Sequence, residues 1–325
     1  MNTPLLEVQD LRVLLPTAHG PVAALRGVSF VMARGEKLGL IGESGCGKSL
    51  TALAIMGLLP EGAQVQGSIR LLGQELVGLA DDTMARLRGD RVAMVFQEPM
   101  TALNPLHTIG HQVAEPLRLH RGLDRRAARA EALRLLECVQ LPNAAQRLDA
   151  HPHQLSGGQR QRVMIAMALA CGPELLIADE PTTALDASLQ HEVLMLIDEL
   201  VRGSGMGLLL ISHDLGVMAR HVQRVMVMYA GTVVEDGPAA ALFARRAHPY
   251  TRGLYAARPR LGAGRGALLP TIPGRVPALA DIGTGCAFAE RCALAIAACR
   301  QAPPPPVTVG PAHHARCIRT GEALP

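Results

Sequence analysis

The distribution of hydrophobic and polar residues changes character along the chain. Residues 1–98 contain short apolar or alternating runs, such as LEVQDLRVLL and KLGLIG, between glycine-rich turns, and this pattern predicts β-strands. Residues 110–170 are rich in Ala, Leu and Arg, with apolar residues at helical spacing. Strand-like and helix-like runs then alternate through ELLIADE, SLQHEVLMLIDELV and GLLLISHD. This alternation predicts an α/β fold, with a parallel sheet and helices on its faces.

The C-terminal part of the chain loses this regular pattern. Residues 256–285 are rich in Pro, Gly and Arg, as linkers are, and the PPPP run at 303–306 favours extended backbone. We therefore expect one domain over residues 1–255 and a C-terminal extension over residues 256–325. No apolar run reaches the ~18 residues of a membrane span. The N-terminus lacks the features of a secretory signal, so we expect a cytosolic chain.

Composition limits the core and the partners. The chain is 49% hydrophobic but only 2% aromatic, so its core must be mainly aliphatic. A net charge of +4 is too small to indicate a nucleic-acid partner. Two of the 32 basic residues are lysines, Lys37 and Lys48. The second of them lies in a glycine-rich turn, where a slim primary ammonium group has a chemical use.

The stretch GESGCGKS, residues 42–49, matches the phosphate-binding pattern G-x-x-x-x-G-K-[ST] between a strand-like and a helix-like run. Its glycines allow successive N–H groups to face an anion, and the start of the helix adds a positive end. Lys48 would reach the β- and γ-phosphates, and the Ser49 hydroxyl would ligate Mg²⁺. A plain strand–turn–helix junction would explain the glycines but not the Lys–Ser pair. The residues expected around the phosphates are Gly42, Glu43, Ser44, Gly45, Cys46, Gly47, Lys48, Ser49 and Leu50.

Two acidic residues, Asp179 and Glu180, end the strand-like run LLIADE. The carboxyl ends of parallel strands lie beside the phosphate loop, so Asp179 could hold Mg²⁺ directly or through water. Glu180 could then act as the general base on an attacking water. A solvated strand end is the alternative, and the nearby phosphate loop makes it the less favoured one.

Four further motifs accompany the phosphate loop. They are Gln97 in VFQEP, LSGGQ at 155–159, ALD at 184–186 and His213 in LLISHD. Ser156 before a helix also suits an N-cap, but a cap needs neither a second glycine nor a glutamine. In this order the motifs resemble the ATP-binding subunit of ABC transporters, over most of the predicted first domain. The resemblance implies a P-loop NTPase core with an antiparallel β-subdomain and an α-helical subdomain over about residues 98–168.

The resemblance also implies roles at the matching residues. Gln97 would touch Mg²⁺ and water and report the nucleotide state to membrane subunits, Glu180 would activate the water, and His213 would contact the γ-phosphate. Asp186 would lie across the seam between two subunits. The γ-phosphate bound to the partner subunit would be capped by Ser156, Gly157, Gly158 and Gln159. ATP would therefore bridge two subunits, closing the dimer on binding and releasing it after hydrolysis.

One feature departs from the family pattern. The family usually stacks an aromatic side chain on adenine from a loop that precedes the phosphate loop. The corresponding region here reads HGPVAALRG and contains no aromatic residue. The nearest aromatic, Phe30, is expected in the core, and Val22 could supply an apolar contact instead.

The tail shows a narrower resemblance. AHPYTRGLYAARPRL at 247–261 and the cysteine-rich stretch after it are similar to dipeptide/oligopeptide permease ATP-binding subunits, which also serve nickel and glutathione importers. This implies two transmembrane permease subunits, a second and related ATP-binding chain, an external solute-binding protein, and a peripheral place on the cytoplasmic face of the inner membrane. A soluble ATPase of the same superfamily, acting on nucleic acid or the ribosome, is the alternative. A single cassette without a heptad run disfavours it.

Four of the seven cysteines crowd into the tail. Their spacing, C-x5-C-x6-C-x17-C, does not fit a zinc ribbon. Four thiolates can hold a [4Fe–4S] cluster, which the subfamily's tail is associated with, and zinc or free thiols are the weaker alternatives. The predicted ligands are Cys286, Cys292, Cys299 and Cys317. Small apolar roles are expected for Cys46, Cys138 and Cys171, and surface positions for His248, His313 and His314.

Overall fold

The computed structural model describes residues 3–183, 185–258 and 270–322. Residue 184 of the ALD motif and residues 259–269 of the predicted linker lie outside the described residues. The strands are β1 Leu6–Leu15, β2 Val22–Met32, β3 Lys37–Ile41, β4 Gln64–Leu71, β5 Gln74–Glu75, β6 Val92–Val95, β7 Leu175–Asp179, β8 Gly207–Ile211, β9 Arg224–Tyr229, β10 Thr232–Pro238, β11 Val307–Gly310 and β12 His313–Ala315.

The helices carry the region of helical periodicity and the segments between the strands of the core. They are α1 Lys48–Met56, α2 Asp81–Leu87, α3 Pro99–Ala102, α4 Ile109–Arg121, α5 Arg125–Cys138, α6 Ala144–Arg147, α7 Gly157–Leu169, α8 Ala187–Ser204, α9 Leu215–His221, α10 Ala239–Ala244, α11 Pro249–Ala256 and α12 Ala297–Gln301. Short 3₁₀ turns cover Pro152–Gln154, Leu279–Asp281 and Ala289–Arg291. Among the described residues, no helix has both the length and the apolar character to cross a bilayer.

The strands of the described chain form two sheets. The first is antiparallel, with the order β2-β1-β4-β5, and matches the β-subdomain that the family resemblance implies. The second has the order β11-β12-β10-β9-β3-β8-β7-β6. Its run from β9 to β6 is parallel throughout, which confirms the α/β fold that the alternating pattern predicts.

The central strands are apolar because both faces of the parallel sheet are covered. In β8, Leu208 and Leu210 join the core beneath the helical region, whereas Leu209 and Ile211 join the core shared with the antiparallel sheet and α1. All five residues of β7 and of β8 are buried. A continuous hydrophobic run, rather than strict alternation, is therefore the pattern that these strands require.

Helices α4, α5 and α7 pack together as the helical subdomain between β6 and β7. Side chains cap the first two of them. The Thr108 hydroxyl accepts from the His111 N–H at 3.4 Å, and the Asp124 carboxylate accepts from the Ala127 N–H at 2.8 Å. These caps satisfy backbone groups that the helix itself leaves open, and so they define where each helix begins.

The C-terminal extension continues the main sheet instead of standing apart from it. β12 pairs with β10 in antiparallel register, Glu235 opposite Ala315 and Asp236 opposite His314. The core is aliphatic, as the composition predicts, but a few aromatic rings lie where the extension meets the sheet. Tyr229, Tyr250 and Phe288 are buried there, with ring centroids 4.6 to 5.3 Å apart.

Candidate nucleotide-binding site

The phosphate loop joins the end of β3 to the start of α1, as the sequence predicts. Gly42 and Gly47 have φ angles of +154° and +104°, which side chains resist. A Cβ at Gly42 would lie 2.3 Å from the Met228 carbonyl oxygen, and one at Gly47 would lie 2.6 Å from Leu25 Cδ2. These two positions therefore require glycine for both backbone angle and space.

Lys48 is buried, and its ammonium group lies inside the loop. Its Nζ donates to the carbonyl oxygens of Gly42 at 2.9 Å and Glu43 at 3.1 Å. The side chain is only 6% exposed, so these carbonyls compensate much of the cost of burying the charge. The ammonium is thereby held where a phosphate group entering the loop would meet it.

Ser49 and Asp179 are in direct contact at the carboxyl end of β7. The Ser49 hydroxyl donates to Asp179 Oδ1 at 3.1 Å. Burial raises the pKa of the Asp179 carboxyl, and the neighbouring Glu180 raises it further, while Ser49 and Lys48 act in the opposite direction. A hydroxyl beside a buried carboxylate is a fitting oxygen pair for Mg²⁺, which takes few protein ligands and completes its shell with water and phosphate oxygens. These two residues could hold the ion.

Glu180 brings together three separate parts of the chain. Its Oε2 lies 2.9 Å from the Thr183 hydroxyl, 3.3 Å from His213 Nδ1 and 3.4 Å from Gln97 Nε2. Its φ is +45°, a left-handed angle that is uncommon for glutamate, and its N–H donates to the Ile211 carbonyl oxygen at 2.9 Å. The structure therefore assembles all three residues predicted to be catalytic. Thr183 was not predicted, although it lies only three positions after the glutamate.

A cavity of about 460 Å³ extends from the phosphate loop across this cluster. Its polar wall contains Lys48, Ser49, Gln97, Glu180 and His213. Its apolar side chains are Leu15, Ala24, Leu50 and Leu279. Val22 is not among the described residues that line the cavity, and its expected apolar contact with adenine stays a prediction. Phe30 is buried in the core, as predicted.

The LSGGQ segment starts helix α7 on another surface of the subunit. The Ser156 hydroxyl accepts from the Gln159 N–H at 3.3 Å, and Gln159 Oε1 accepts from the Ser156 N–H at 3.1 Å, forming a capping box. The sequence argument that a cap needs no glutamine missed this use of Gln159. A Cβ at Gly157 or Gly158 would come no closer than 3.4 Å to its neighbours, so packing in this subunit does not demand glycine there.

Asp186 has a local structural role that the sequence did not indicate. Its carboxylate accepts from the N–H groups of Ser188 and Leu189, both at 3.1 Å, and so caps α8. None of the residues from Ser156 to Gln159, nor Asp186, lines the described nucleotide cavity. Their predicted contacts with a second subunit stay predictions.

The phosphate loop is also fastened to the C-terminal extension. The Glu43 carboxylate accepts two hydrogen bonds from the Arg291 guanidinium, at 2.6 and 3.0 Å, and the Glu43 N–H donates to the Tyr250 hydroxyl at 2.8 Å. The hydrogen bond to Glu43 raises the pKa of Arg291 above its usual range. Sequence reasoning named Glu43 but missed both partners. Arg291 is separated from Glu43 by 248 positions, and no local pattern indicates such a pairing.

The four tail cysteines line one small cavity between α11, the 3₁₀ turn Ala289–Arg291, α12 and β12. Burial raises the pKa of Cys286 to about 11. In the described parts of the chain, no three His, Cys, Asp or Glu side chains are placed to hold a metal ion. The weaker alternative of a single zinc ion therefore has no site among the described residues.

Three smaller expectations are corrected. Cys138 is exposed at the end of α5 and is no small core residue, whereas Cys46 and Cys171 are buried as predicted. His248 and His313 are buried, each 1% exposed. The His313 Nε2 lies 2.8 Å from Glu235 Oε1, and His248 Nδ1 accepts the Tyr250 N–H at 3.1 Å to cap α11. Each ring thus makes one specific hydrogen bond, whereas the buried Nε2 of His248 has no partner among the described residues. His314 is exposed, as expected.

Comparison with known proteins agrees with this geometry. A family model described as ABC transporter matches residues 25–183, and one described as the C-terminal region of oligopeptide/dipeptide transporters matches residues 234–299. A Brucella melitensis protein named as a peptide import ATP-binding protein is 49% identical, over 98% of this chain and 98% of its own length. An Escherichia coli protein named as a D,D-dipeptide transport ATP-binding protein is 48% identical, over 93% of both chains.

A solved structure shares the fold. It is a dimeric ATP-binding cassette in a post-hydrolysis state with bound ADP and phosphate, 29% identical to this chain, with a TM-score of 0.65. The match covers 72% of this chain and 98% of the solved one. With the phosphate loop, the Glu180 cluster and these full-length relatives in place, the chain belongs to the ATP-binding proteins of ABC transporters and is an ATPase of that family.

Proposed function

We propose that this chain hydrolyses ATP to drive the import of dipeptides or oligopeptides through separate membrane subunits. The observation that carries the substrate class is the match of residues 234–299 to the C-terminal region of oligopeptide/dipeptide transporters. Relatives named for peptide import, similar over nearly their whole length, support it. Nickel and glutathione, which other importers of the same subfamily carry, are the competing substrates. The family match and these relatives do not favour the alternative of an ATPase acting on nucleic acid or the ribosome.

The residues in and beside the cavity divide the work of hydrolysis. The phosphate loop and Lys48 bind the triphosphate, and Ser49 and Asp179 would hold Mg²⁺, which when bound would supply positive charge to the phosphate oxygens. Glu180 takes a proton from the attacking water, while Thr183 and His213 orient its carboxylate. Gln97 contacts the same carboxylate oxygen at 3.4 Å, so a shift at the catalytic glutamate reaches the loop that leads to α3.

An apolar groove beside Gln97 suits a helix of a membrane subunit. It is lined by Met56, Leu58, Met94, Phe96, Met164 and Met167. Phe96 and Leu58 are 40% and 39% exposed, which is unusual for such large apolar side chains. Methionine-rich grooves accept helices of varied shape. We propose that one of the two permease subunits binds in this groove. That contact would hold the chain on the cytoplasmic face of the inner membrane.

The segment from Ser156 to Gln159 serves a second ATP-binding subunit, which we take to be a related chain. Its N-cap leaves backbone N–H groups at the start of α7, and such groups bind anions. We further propose a first domain over residues 1–255, with its helical subdomain at about 98–168, and an extension over residues 256–325. An external solute-binding protein would deliver the substrate to the permease subunits.

We propose that the four tail cysteines hold a [4Fe–4S] cluster. They line one cavity, although no three of them are placed for a single ion, and four Cys thiolates are the ligand set of such a cluster. Its role would be to crosslink a tail that has little core of its own. Anaerobically purified protein should contain iron and acid-labile sulfide. Protein with all four cysteines titratable as free thiols, and without iron, contradicts this proposal.

Reconstitution tests the transport function. The chain should be purified with its permease subunits and second ATPase, placed in liposomes, and supplied with labelled dipeptides, oligopeptides, Ni²⁺ or glutathione. Peptide uptake should require ATP inside and the solute-binding protein outside, and Lys48→Ala should abolish it. Lys37→Arg, at the chain's other lysine, keeps the ion pair with Asp198 and serves as the control. ATP-driven uptake of nickel or glutathione but of no peptide contradicts the substrate class.

A further inference from the structure

The C-terminal extension reaches the nucleotide cavity where the family's aromatic side chain is missing. Leu279, in the 3₁₀ turn Leu279–Asp281, lines the same cavity as Lys48. The turn packs against β2, and close by the Arg26 guanidinium donates to the Gly283 carbonyl oxygen at 3.2 Å. The turn is therefore held against the antiparallel sheet by contacts of its own.

The walls of the cavity divide into a polar and an apolar part. Lys48, Ser49 and the Glu180 cluster surround the place of the triphosphate. Leu15, at the end of β1, and Ala24, in β2, belong to the other part together with Leu279. Because the phosphates of ATP occupy the loop, its base extends toward the remaining apolar side chains. The turn between β1 and β2 contains no Phe, Tyr or Trp, and its one imidazole, His19, is exposed and is not among the described residues that line the cavity.

We propose that Leu279 forms the adenine-binding wall with Leu15 and Ala24, and so takes the place of the missing aromatic residue. The C-terminal extension is then a specificity-determining part of the nucleotide site. This inference rests on the proposed function, because it presupposes that ATP binds in the cavity. Aliphatic side chains cover the base without reading its edges, so the site should discriminate weakly between ATP and GTP.

Calorimetric titration of the full chain with ATP, GTP and inorganic tripolyphosphate tests the wall. Leu279→Ala should weaken the binding of ATP and of GTP about three- to tenfold, as expected for a lost apolar contact. Its affinity for tripolyphosphate, which has no base, should stay that of the wild type. Leu279→Phe should tighten ATP binding, because the new ring can stack on the base. Leu119→Ala, on an exposed face of α4, is the matched control.

Equal ATP affinity in wild type and Leu279→Ala would remove Leu279 from the site. So would an equal loss of ATP and tripolyphosphate affinity, which would indicate a distorted loop instead of a lost base contact. Wild-type protein that binds no ATP would instead contradict the proposed function. The two failures therefore give different results.

A second, independent observation concerns the other end of the nucleotide. The Arg291 guanidinium is 8% exposed and pairs with both oxygens of Glu43, and its Nε donates to the Pro273 carbonyl oxygen at 2.9 Å. The carbonyl oxygen of Glu43 in turn accepts from Lys48 Nζ at 3.1 Å. A chain of contacts thus runs from the extension, through one loop residue, to the ammonium group.

We infer that Arg291 is a positioning residue for the phosphate loop. It fixes the Glu43 side chain in a two-pronged geometry that lysine cannot reproduce. The Glu43 backbone then presents its carbonyl oxygen to Lys48 in a fixed place. The extension therefore stabilises the arrangement of the loop that receives the phosphates, and contributes to affinity without touching the nucleotide.

The same titrations separate this role from that of Leu279. Arg291→Ala should weaken ATP and tripolyphosphate equally, by about tenfold, since a hydrogen-bonded charge pair is lost. The affinities of Arg291→Lys for both ligands should lie between those of Arg291→Ala and those of the wild type. Glu43→Gln keeps the size of the side chain and should also weaken the binding of both ATP and tripolyphosphate. A lower Tm for Arg291→Ala and Glu43→Gln with wild-type affinity for both ligands would show a merely structural contact and overturn the inference.

Discussion

At the scale of single residues, the glutamate that ends the run LLIADE is fixed by several contacts at once. One carboxylate oxygen of Glu180 meets three side chains from different elements, and its backbone occupies a left-handed angle. Strain of this kind persists where surrounding structure fixes it, and it is common at active sites. The result is a carboxylate whose orientation is set before the nucleotide arrives.

Glu180→Gln should lower the ATP turnover rate by about 10²- to 10⁴-fold, because an amide cannot accept the proton of the attacking water. ATP binding should be retained, since glutamine keeps the size and the hydrogen bonds of the side chain. Steady-state ATPase assays and equilibrium binding measure the two quantities. Glu199→Gln, at an exposed position of α8, is the control. Turnover at the wild-type rate in Glu180→Gln would exclude this residue as the base.

At the scale of elements, the functional motifs coincide with the beginnings of helices. α1 begins at Lys48, α7 follows Ser156, α8 follows Asp186, and α9 follows Asp214 directly after His213. Each helix begins with N–H groups that have no partner within the helix. These groups can donate hydrogen bonds to an anion or to a capping side chain. Each of these motifs therefore contributes both the chemistry and the start of a helix.

His221, in the last turn of α9, gives an element-scale prediction about pH. Burial lowers its pKa below the ordinary value of 6.5. Below about pH 6.5, His221 therefore binds a proton in the unfolded chain but stays neutral in the folded chain. The free energy of unfolding decreases as the pH falls through this range. Urea unfolding at pH 7.5 and 5.5 should show a smaller loss of unfolding free energy for His221→Leu than for wild type. Equal losses in both proteins would contradict this role.

Features written in consecutive residues could be predicted from the sequence. The glycine spacing of the phosphate loop, the buried strands and the helix that begins at LSGGQ follow from local pattern. The pairing of Arg291 with Glu43, the place of Leu279 and the burial of His313 could not be predicted, because each depends on residues far apart in the chain. Even the capping role of Gln159 was missed, since one side chain there suits both a cap and a ligand contact.

At the scale of the whole molecule, one subunit contains a complete phosphate loop but keeps its LSGGQ segment on a different surface. Within the described residues, the cavity lining includes none of the segment from Ser156 to Gln159. The solved relative with bound ADP and phosphate is dimeric. From these two observations we propose that closure around a nucleotide needs two subunits, and we expect one subunit alone to bind ATP without enclosing it.

Gly158→Asp tests this closure. The change places a carboxylate at the start of α7, where it repels the γ-phosphate of the other subunit. The fold should tolerate it, because a Cβ at this position meets the Leu189 side chain at an ordinary 3.4 Å. Glu180→Gln protein with its second ATP-binding subunit should dimerise in Mg-ATP by light scattering, and adding Gly158→Asp should abolish the dimer. An unchanged dimer would place the LSGGQ segment away from the nucleotide.

The pairing of β12 with β10 has a consequence for solubility. β10 lies on the flank of the large sheet, and β12 covers its hydrogen-bonding groups. Buried Glu235 in the same strand also receives a contact from His313 of β12. Cleavage just before β11 would uncover a ready template for strand addition by a neighbouring molecule and leave a buried carboxylate short of a partner. Such a truncated protein should precipitate as it accumulates, even though every residue of the phosphate loop is still present.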